Sequence, residues 1–428
     1  MSELAEAAPP LTKPTRPARI TVVTSGHLST CPRMVKSADA LAEAGYDVSV
    51  VATRHERWAT AADVDARSRR TWPVDVIDYR RGGGGSTYWR TGAEHRAARA
   101  VAAAIGVARA PLPIVARAFA RVHAPIVRAI TAIPADFIYG GTTGALAAIA
   151  EAARGMGTPY ALDLEDFHSA ETLGPEAPFI DALATRVERD ALRDAVFATA
   201  SSEAIAEAYR ERYDVGAAVV HNTFPLPAQA PDFTRADPAV LRIYWFSQTI
   251  GPGRGLDQAV AALGRSGVAA ELVVRGRPHD GYLDALRSLA AAEAPQLTLV
   301  HQPPAAPDAM VDLARGYDVG LALDYGAPLN RTLCMTNKAF TYVLAGVAVA
   351  MFDTPGQHDL AVDFGRAAAL VPAGDVDALA GAFRRWAADP AALDCAKRTA
   401  WQAASRRWHW EHEAERGTLY RLVREVLS

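Results

Sequence analysis

The sequence predicts an α/β protein built from two doubly wound parallel sheets that face a cleft, and three observations carry this. Short apolar, β-branched runs alternate with stretches whose apolar residues recur at helical spacing. The alternation breaks once, at residues 225–240 (PLPAQAPDFTRADPAV), where Pro, Asp and Ala replace any period, and then restarts. The 428 residues, half of them apolar, suffice for two or three cores at about 150 residues per domain. Strands separated by helices run parallel with both faces covered, because each helical crossover packs on the sheet as it returns the chain.

Residues 1–18, rich in Ala and Pro, read as a flexible leader and lack the apolar core of a secretory signal. RITVVT opens the first sheet, followed by the helical MVKSADALAEAGYD, whose Gly45 sits where a helix stops, and by DVSVVA. VDVIDY, DFIYGG, PYALDLED, VFATASS and AVVHN are the next expected strands. After the break come RIYWFS, AELVVRG, LTLVHQ, VGLALD, VAVAMFD and ALVPAG, spaced by helical segments such as GLDQAVAALGRSG. Residues 82–134 depart from plain alternation. Four glycines lead into an Ala-rich, helix-forming stretch with seven arginines (Arg90, Arg96, Arg99, Arg109, Arg117, Arg121, Arg128) against one acid, Glu94. Two readings stay open for this insert: a solvated helical hairpin, or a basic amphipathic surface for anionic lipid headgroups or a phosphate-bearing acceptor.

A net charge of −3 argues against a nucleic-acid partner. Three scattered cysteines, Cys31, Cys334 and Cys395, fit neither a disulfide framework nor a paired zinc site, so a reducing cytoplasm is the expected location and no metal is expected. The most apolar window, Val101 to Val127, is interrupted by Arg109, Arg117 and Arg121 and is no membrane span.

Ligands of open parallel sheets bind beyond the carboxyl ends of strands, where helix N-termini offer free N–H groups to phosphate. The loop WFSQTIGPGRGLD (245–257) has Gly251, Gly253, Arg254 and Gly255 just before a helix and reads as a phosphate cradle; a plain glycine-rich turn is the alternative. It matches neither the Walker A pattern nor the dinucleotide fingerprint, which weighs against ATP hydrolysis and hydride transfer. VVRGRPHD adds Arg275 and Arg277, and the long segment 321–346 adds Asp324, Asn330, Arg331, Asn337 and Lys338. Guanidinium and ammonium groups suit a diphosphate; amides and a carboxylate suit hydroxyls.

These motifs resemble the GT-B glycosyltransferases, in particular the bacterial retaining enzymes of family 4. FSQTIGPGRGLD is similar to that family's diphosphate loop, NKAFTYVLAGVAVAMFDTPGQ to its signature region, and AVVHNTFPLP to the segment entering the linker. SGHLSTCPRMVKSADALAEAGYDVSVVA and DLEDFHSAE are similar to its acceptor-domain loops, and RWHWEHEAERGTLYRLVREVL to its terminal helix. The resemblance spans nearly the whole chain. It implies an acceptor-binding, Rossmann-like domain at 19–228, a nucleotide-sugar-binding one at 240–405 and a helix at 406–428 crossing back to the first. It also implies metal-independent, retaining transfer from a UDP- or GDP-sugar to a glycan or lipid-linked acceptor, in the cytoplasm or at the inner face of an anionic membrane. Where many relatives carry two glutamates eight positions apart, this chain has Leu333 and Thr341, so Asp324 is the substitute candidate for donor hydroxyls, a loop-capping role being the alternative. His168 is the leading polar group at the reacting sugar, with Asp166 or Glu165 as alternatives and helix capping as the bland reading. Gly26, His27 and Arg33 are expected on the acceptor side. Two other functions stay open: a sugar-nucleotide 2-epimerase of the same fold, and a catalytically silent sugar-nucleotide-binding partner.

Overall fold

A computed structural model describes residues 16–235, 237 and 239–428; most of the expected leader, residues 1–15, lies outside the described residues. Seven parallel strands form the first sheet: β1 (Arg19–Thr24), β2 (Asp47–Arg54), β3 (Val74–Asp78), β4 (Phe137–Gly141), β5 (Tyr160–Leu164), β6 (Ala198–Ala200) and β7 (Ala218–Val219). Six more form the second: β8 (Leu241–Ile250), β9 (Ala270–Pro278), β10 (Leu297–Gln302), β11 (Val319–Ala322), β12 (Ala348–Asp353) and β13 (Ala368–Pro372). The spatial orders are β3-β2-β1-β4-β5-β6-β7 and β10-β9-β8-β11-β12-β13. β1 is flanked on both sides, with Val22 opposite Val50 and Tyr139. Both orders reverse direction once, between β1 and β4 and between β8 and β11, and a crevice opens at such a switch point because the flanking crossovers go to opposite faces.

Burial on both faces explains the apolar runs. Every residue of β4 and β5 is buried, and so is all of β12 but its last. One face of the first sheet packs Val23, Ile138 and Leu162 under Leu146, Ile149 and Leu183. On the other face Ile20, Val22 and Tyr139 meet Leu41 and also Trp410, Leu419 and Val423, so the terminal helix Thr418–Leu427 completes the core of the first sheet although it follows the second in sequence. The second sheet has two corresponding cores, one around Trp245, Val260 and Phe352, the other around Tyr244, Phe340 and Trp408.

The arginine-rich stretch is three helices, Gly85–Ile105, Leu112–Phe119 and His123–Thr131, which connect β3 to β4. The first two of these helices pack on each other as a hairpin that is not simply solvated: Ala98, Ala102, Val115 and Ala118 of the hairpin, with Ile126 and Ile130 of the third helix, are buried in the core cluster of the first sheet. No described helix is long and apolar enough to cross a membrane.

Candidate functional site

At the second switch point β8 ends at Ile250, and Gly251–Gly255 turn the chain into the helix Leu256–Ser266. Gly253 and Gly255 have φ of +72° and +75°, a left-handed conformation that glycine adopts without steric cost. A Cβ on Gly255 would lie 2.3 Å from Leu323 Cβ and 2.5 Å from Leu323 O, so only glycine lets this loop press against the end of β11. The helix start with its free N–H groups thereby sits beside the β11 loop.

From that loop Asp324 accepts a hydrogen bond from Lys338 Nζ at 2.7 Å and another from Arg254 Nη1 at 3.4 Å. Asp324 and Lys338 are both nearly enclosed. Burial favours a neutral carboxyl, yet Lys338 holds Asp324 below its ordinary value; burial lowers Lys338 in turn, with Asp324 opposing. The carboxylate is thus the counter-ion of the cations, which corrects its expected place at the donor hydroxyls. Arg331 Nη1 donates to Gly253 O at 2.8 Å. Three cations around one carboxylate leave an excess of two positive charges at a glycine-lined helix start, an arrangement suited to a diphosphate. Asn337 is half-buried in the first helical position beside Lys338. Thr341 and Leu333 make structural contacts: Thr341 Oγ1 donates to Asn337 O, and Leu333 O accepts from Ser202 Oγ.

The β5 loop carries the other half of the site. His168 is buried, with Nδ1 3.1 Å from Thr143 Oγ1 and 3.2 Å from Glu171 Oε2, while Thr143 Oγ1 donates to Glu171 Oε1 at 2.8 Å. Burial opposes the charged ring, but Glu171, helped by Glu188 and Asp166, raises its pKa to about 9. His168 is therefore an imidazolium at neutral pH, a hydrogen-bond donor rather than a base, and its Nε2 is enclosed without a protein partner. Asp166, His168 and Glu171 bring one ligand atom each within 4.8 Å of one another. Glu165 accepts from Asn222 Nδ2 at 2.8 Å.

Asn330 joins the two halves. Its Oδ1 accepts from Phe167 N at 2.7 Å and its Nδ2 donates to Asp166 Oδ1 at 2.7 Å, so it is a bridge between the sheets' loops. Since Arg331 follows it in the chain and reaches Gly253, the short helix Leu329–Leu333 draws the His168 loop and the glycine loop around one space.

The other expected residues lie elsewhere. β9 extends to Pro278, so Arg275 and Arg277 belong to a strand: Arg275 bonds Tyr244 Oη and Pro303 O, and Arg277 stacks on Trp58 of the first sheet's loops. On the acceptor side, Arg33 is buried in a bidentate pair with Asp163, at 2.6 and 2.7 Å, and also bonds Val220 O. His27 donates from Nδ1 to Asp63 at 2.6 Å and accepts at Nε2 from the N–H groups of His55 and Glu56. Both are buried in these pairs within the first sheet's loops, and Gly26 is a packing position, where a Cβ would meet Cys31 Sγ at 2.4 Å. Two residues escaped the sequence reading. Thr143 orients His168, and its neighbour Thr142, a β-branched residue at φ +75°, is held by Ser25 at the first switch point. A strained residue of this kind marks a position the surroundings over-determine; the run GGTTG, which spans the end of the buried strand β4 and its loop, was the available signal.

No protein-family model matches the sequence, and no curated relative matches it. Solved structures do. Anabaena HepE in complex with UDP-glucose superposes with a TM-score of 0.64 at 16% identity, covering 96% of this chain and 99% of its own. The N-terminal domain of Candida albicans trehalose-6-phosphate phosphatase gives 0.63 at 10% identity, covering 99% and 98%. A putative UDP-N-acetylglucosamine 2-epimerase from Listeria monocytogenes gives 0.57 at 13%, covering 97% of each chain. Identities this low speak for architecture alone, and the architecture, two parallel-sheet domains meeting at a cleft over nearly the whole chain, is the GT-B fold.

Proposed function

We propose that the protein is a glycosyltransferase that takes a sugar from a nucleotide diphosphate, UDP before GDP, and places it on an acceptor hydroxyl with retention of configuration. The observation that carries this reading is the cation cluster of Arg254, Arg331 and Lys338 around a glycine-bounded helix start, linked through Asn330 to the loop of a buried imidazolium whose Nε2 has no protein partner. UDP-glucose bound in the similarly folded HepE supports the choice of donor.

Lys338, Arg254 and the N–H groups of the helix at Leu256 hold the two phosphates. As the bond between the sugar carbon and the diphosphate oxygen breaks, negative charge grows on that oxygen, and fixed cations stabilise it without reorganising. His168 donates a hydrogen bond from Nε2 to the sugar or its phosphate; Asp166 and Asn330 fix its loop. The acceptor oxygen bonds to the sugar carbon and its proton passes to the departing phosphate oxygen, on the same face.

The acceptor is a glycan or a lipid-linked sugar. On the helix Gly85–Ile105, Trp89 is 70% exposed and Val101 and Ile105 are also exposed, next to exposed Arg90, Arg96 and Arg109. Arg99 and Arg121 are not part of this surface: Arg99 pairs with Glu176 and Arg121 bonds Thr91 Oγ1 and stacks on Tyr88. Trp89 lies on a different face of the helix from Val101 and Ile105, so the exposed arginines, rather than one apolar stripe, are what suit the cytoplasmic face of an anionic bilayer.

A 2-epimerase is the second reading, favoured by the titratable trio Asp166, His168 and Glu171. Incubation with radiolabelled UDP-glucose and UDP-N-acetylglucosamine, without acceptor, separates the possibilities. Slow release of free sugar with retained configuration supports the transferase. Interconversion of sugar nucleotides establishes the epimerase, and binding without turnover a silent partner.

A further inference from the structure

Under the helix Thr60–Ser68, where β2 and β3 end, lies a cavity of about 370 Å³ that belongs to none of the groups above. This volume is within the range of roughly 300–1,000 Å³ found for small-molecule sites. Its apolar lining comes from buried Leu28 and Ala52, half-buried Val76 and, at the rim, exposed Val64. Two arginines also line it, Arg54 at the end of β2 and Arg67 in the last turn of the helix.

The carboxylates around the cavity give their hydrogen bonds to other groups, with Asp78 acting on Arg54 only through space. Asp63, the carboxylate in the wall, is consumed by His27 Nδ1 and by Ser29. Asp78, opposite Arg54 in the β2–β3 register, gives both oxygens to Arg80. Arg70, also in the wall, is bound to Asp39 and Ala66 O. Arg54 has no such partner: its Nε is enclosed and makes no hydrogen bond. A buried guanidinium N–H without an acceptor is a rare arrangement, and an incoming anion satisfies it. The fork geometry of two guanidinium groups matches a phosphate, while the apolar lining calls for carbon atoms next to it. The cavity also sits at the carboxyl ends of the strands of the first sheet, where ligands of open sheets bind.

We propose that this cavity is an anion subsite that takes the phosphate of an alkyl or isoprenyl phosphate, the head of a lipid-linked acceptor. That the occupant is the acceptor rests on the transferase reading; that the cavity binds the phosphate does not. The same chemistry could reach the cavity as free phosphate, and the experiment separates the two.

The full-length protein is titrated calorimetrically with octyl phosphate, with inorganic phosphate and with neutral octyl glucoside, and separately with UDP. Octyl phosphate is expected to bind at least tenfold more tightly than either control. Arg54→Met/Arg67→Met should weaken it at least tenfold and leave UDP affinity unchanged. Arg67→Met alone, a change at an exposed side chain that the fold tolerates, should weaken it at least threefold if the double variant does not fold. Octyl phosphate binding no tighter than octyl glucoside, or equal in parent and variants, overturns the subsite. Inorganic phosphate binding as tightly as octyl phosphate overturns the apolar stem and assigns the cavity to free phosphate. Octyl phosphate binding in a protein that does not bind UDP supports the subsite while the transferase reading fails.

Discussion

Replacing Lys338 with Met separates what the ammonium does for the fold from what it does for the donor. In the structure Lys338 Nζ lies 2.7 Å from Asp324, and Met keeps the stem but removes the charge. Asp324 is 8% exposed, and its remaining partner is Arg254 at 3.4 Å. Breaking a buried ion pair from one side leaves an uncompensated charge at a cost of about 3–5 kcal/mol. Lys338→Met should therefore unfold at markedly lower urea. Removing both partners, as in Lys338→Met/Asp324→Leu, eliminates the stranded carboxylate and should recover most of that loss. Donor binding should not recover, because a charge-assisted hydrogen bond to phosphate, worth about 1.5–3 kcal/mol, is absent from both variants. That is a roughly 10- to 150-fold weaker Kd for UDP. Urea melts paired with calorimetric UDP titrations supply both numbers. A double variant that binds UDP like the parent would show that Lys338 serves only the fold.

His168→Gln should lose nearly all turnover, about 10²–10⁴-fold, while binding UDP. It should also lose stability in a pH-dependent way. The imidazolium pKa is raised from 6.5 to about 9, so its contribution, on the order of 3 kcal/mol, is fully present below pH 6.5 and fades as pH rises through 9. Urea melts of parent and variant at pH 6 and pH 9.5 should thus converge at the higher pH, and a constant difference would refute the ion pair. Gly255→Ala forces a Cβ into Leu323 in a left-handed backbone and should destabilise by about 2 kcal/mol or more; a loss within about 0.5 kcal/mol would mean that the loop has room to shift. Co-sedimentation with anionic but not neutral vesicles, lost in high salt and in Arg90→Glu/Arg96→Glu/Arg109→Glu, is expected of the helix Gly85–Ile105; no sedimentation at low salt would leave it as ordinary surface.

The strands were legible because both faces of each sheet are buried, so runs such as RITVVT and VAVAMFD show as uninterrupted apolar segments. Gly255 was legible for a similar reason, since a glycine-rich turn between strand and helix has few structural explanations. What stayed hidden is pairing across distance. Arg33 and Asp163 are 130 positions apart, and nothing local distinguishes an arginine destined for a buried ion pair from one left for a ligand. The same holds for His27 with Asp63, and for Asn330, whose amide reaches the β5 loop 163 positions away. Arg275 and Arg277 were misplaced by a boundary effect, because β9 continues past the end of its apolar run. The helix Gly85–Ile105 was hard to place because its buried face consists of Thr91, Gly92, Ala98 and Ala102, without the large apolar side chains that mark a core-facing stripe.

Hydrogen–deuterium exchange with and without UDP tests most directly whether the donor is held at the second switch point. The account predicts that UDP slows exchange in two segments, 251–258 at the glycine loop and helix start and 324–342 around Asp324 and Lys338, with smaller protection at 165–171 through the Asn330 bridge. Protection confined to the first sheet's loops, or none at saturating UDP, would contradict it.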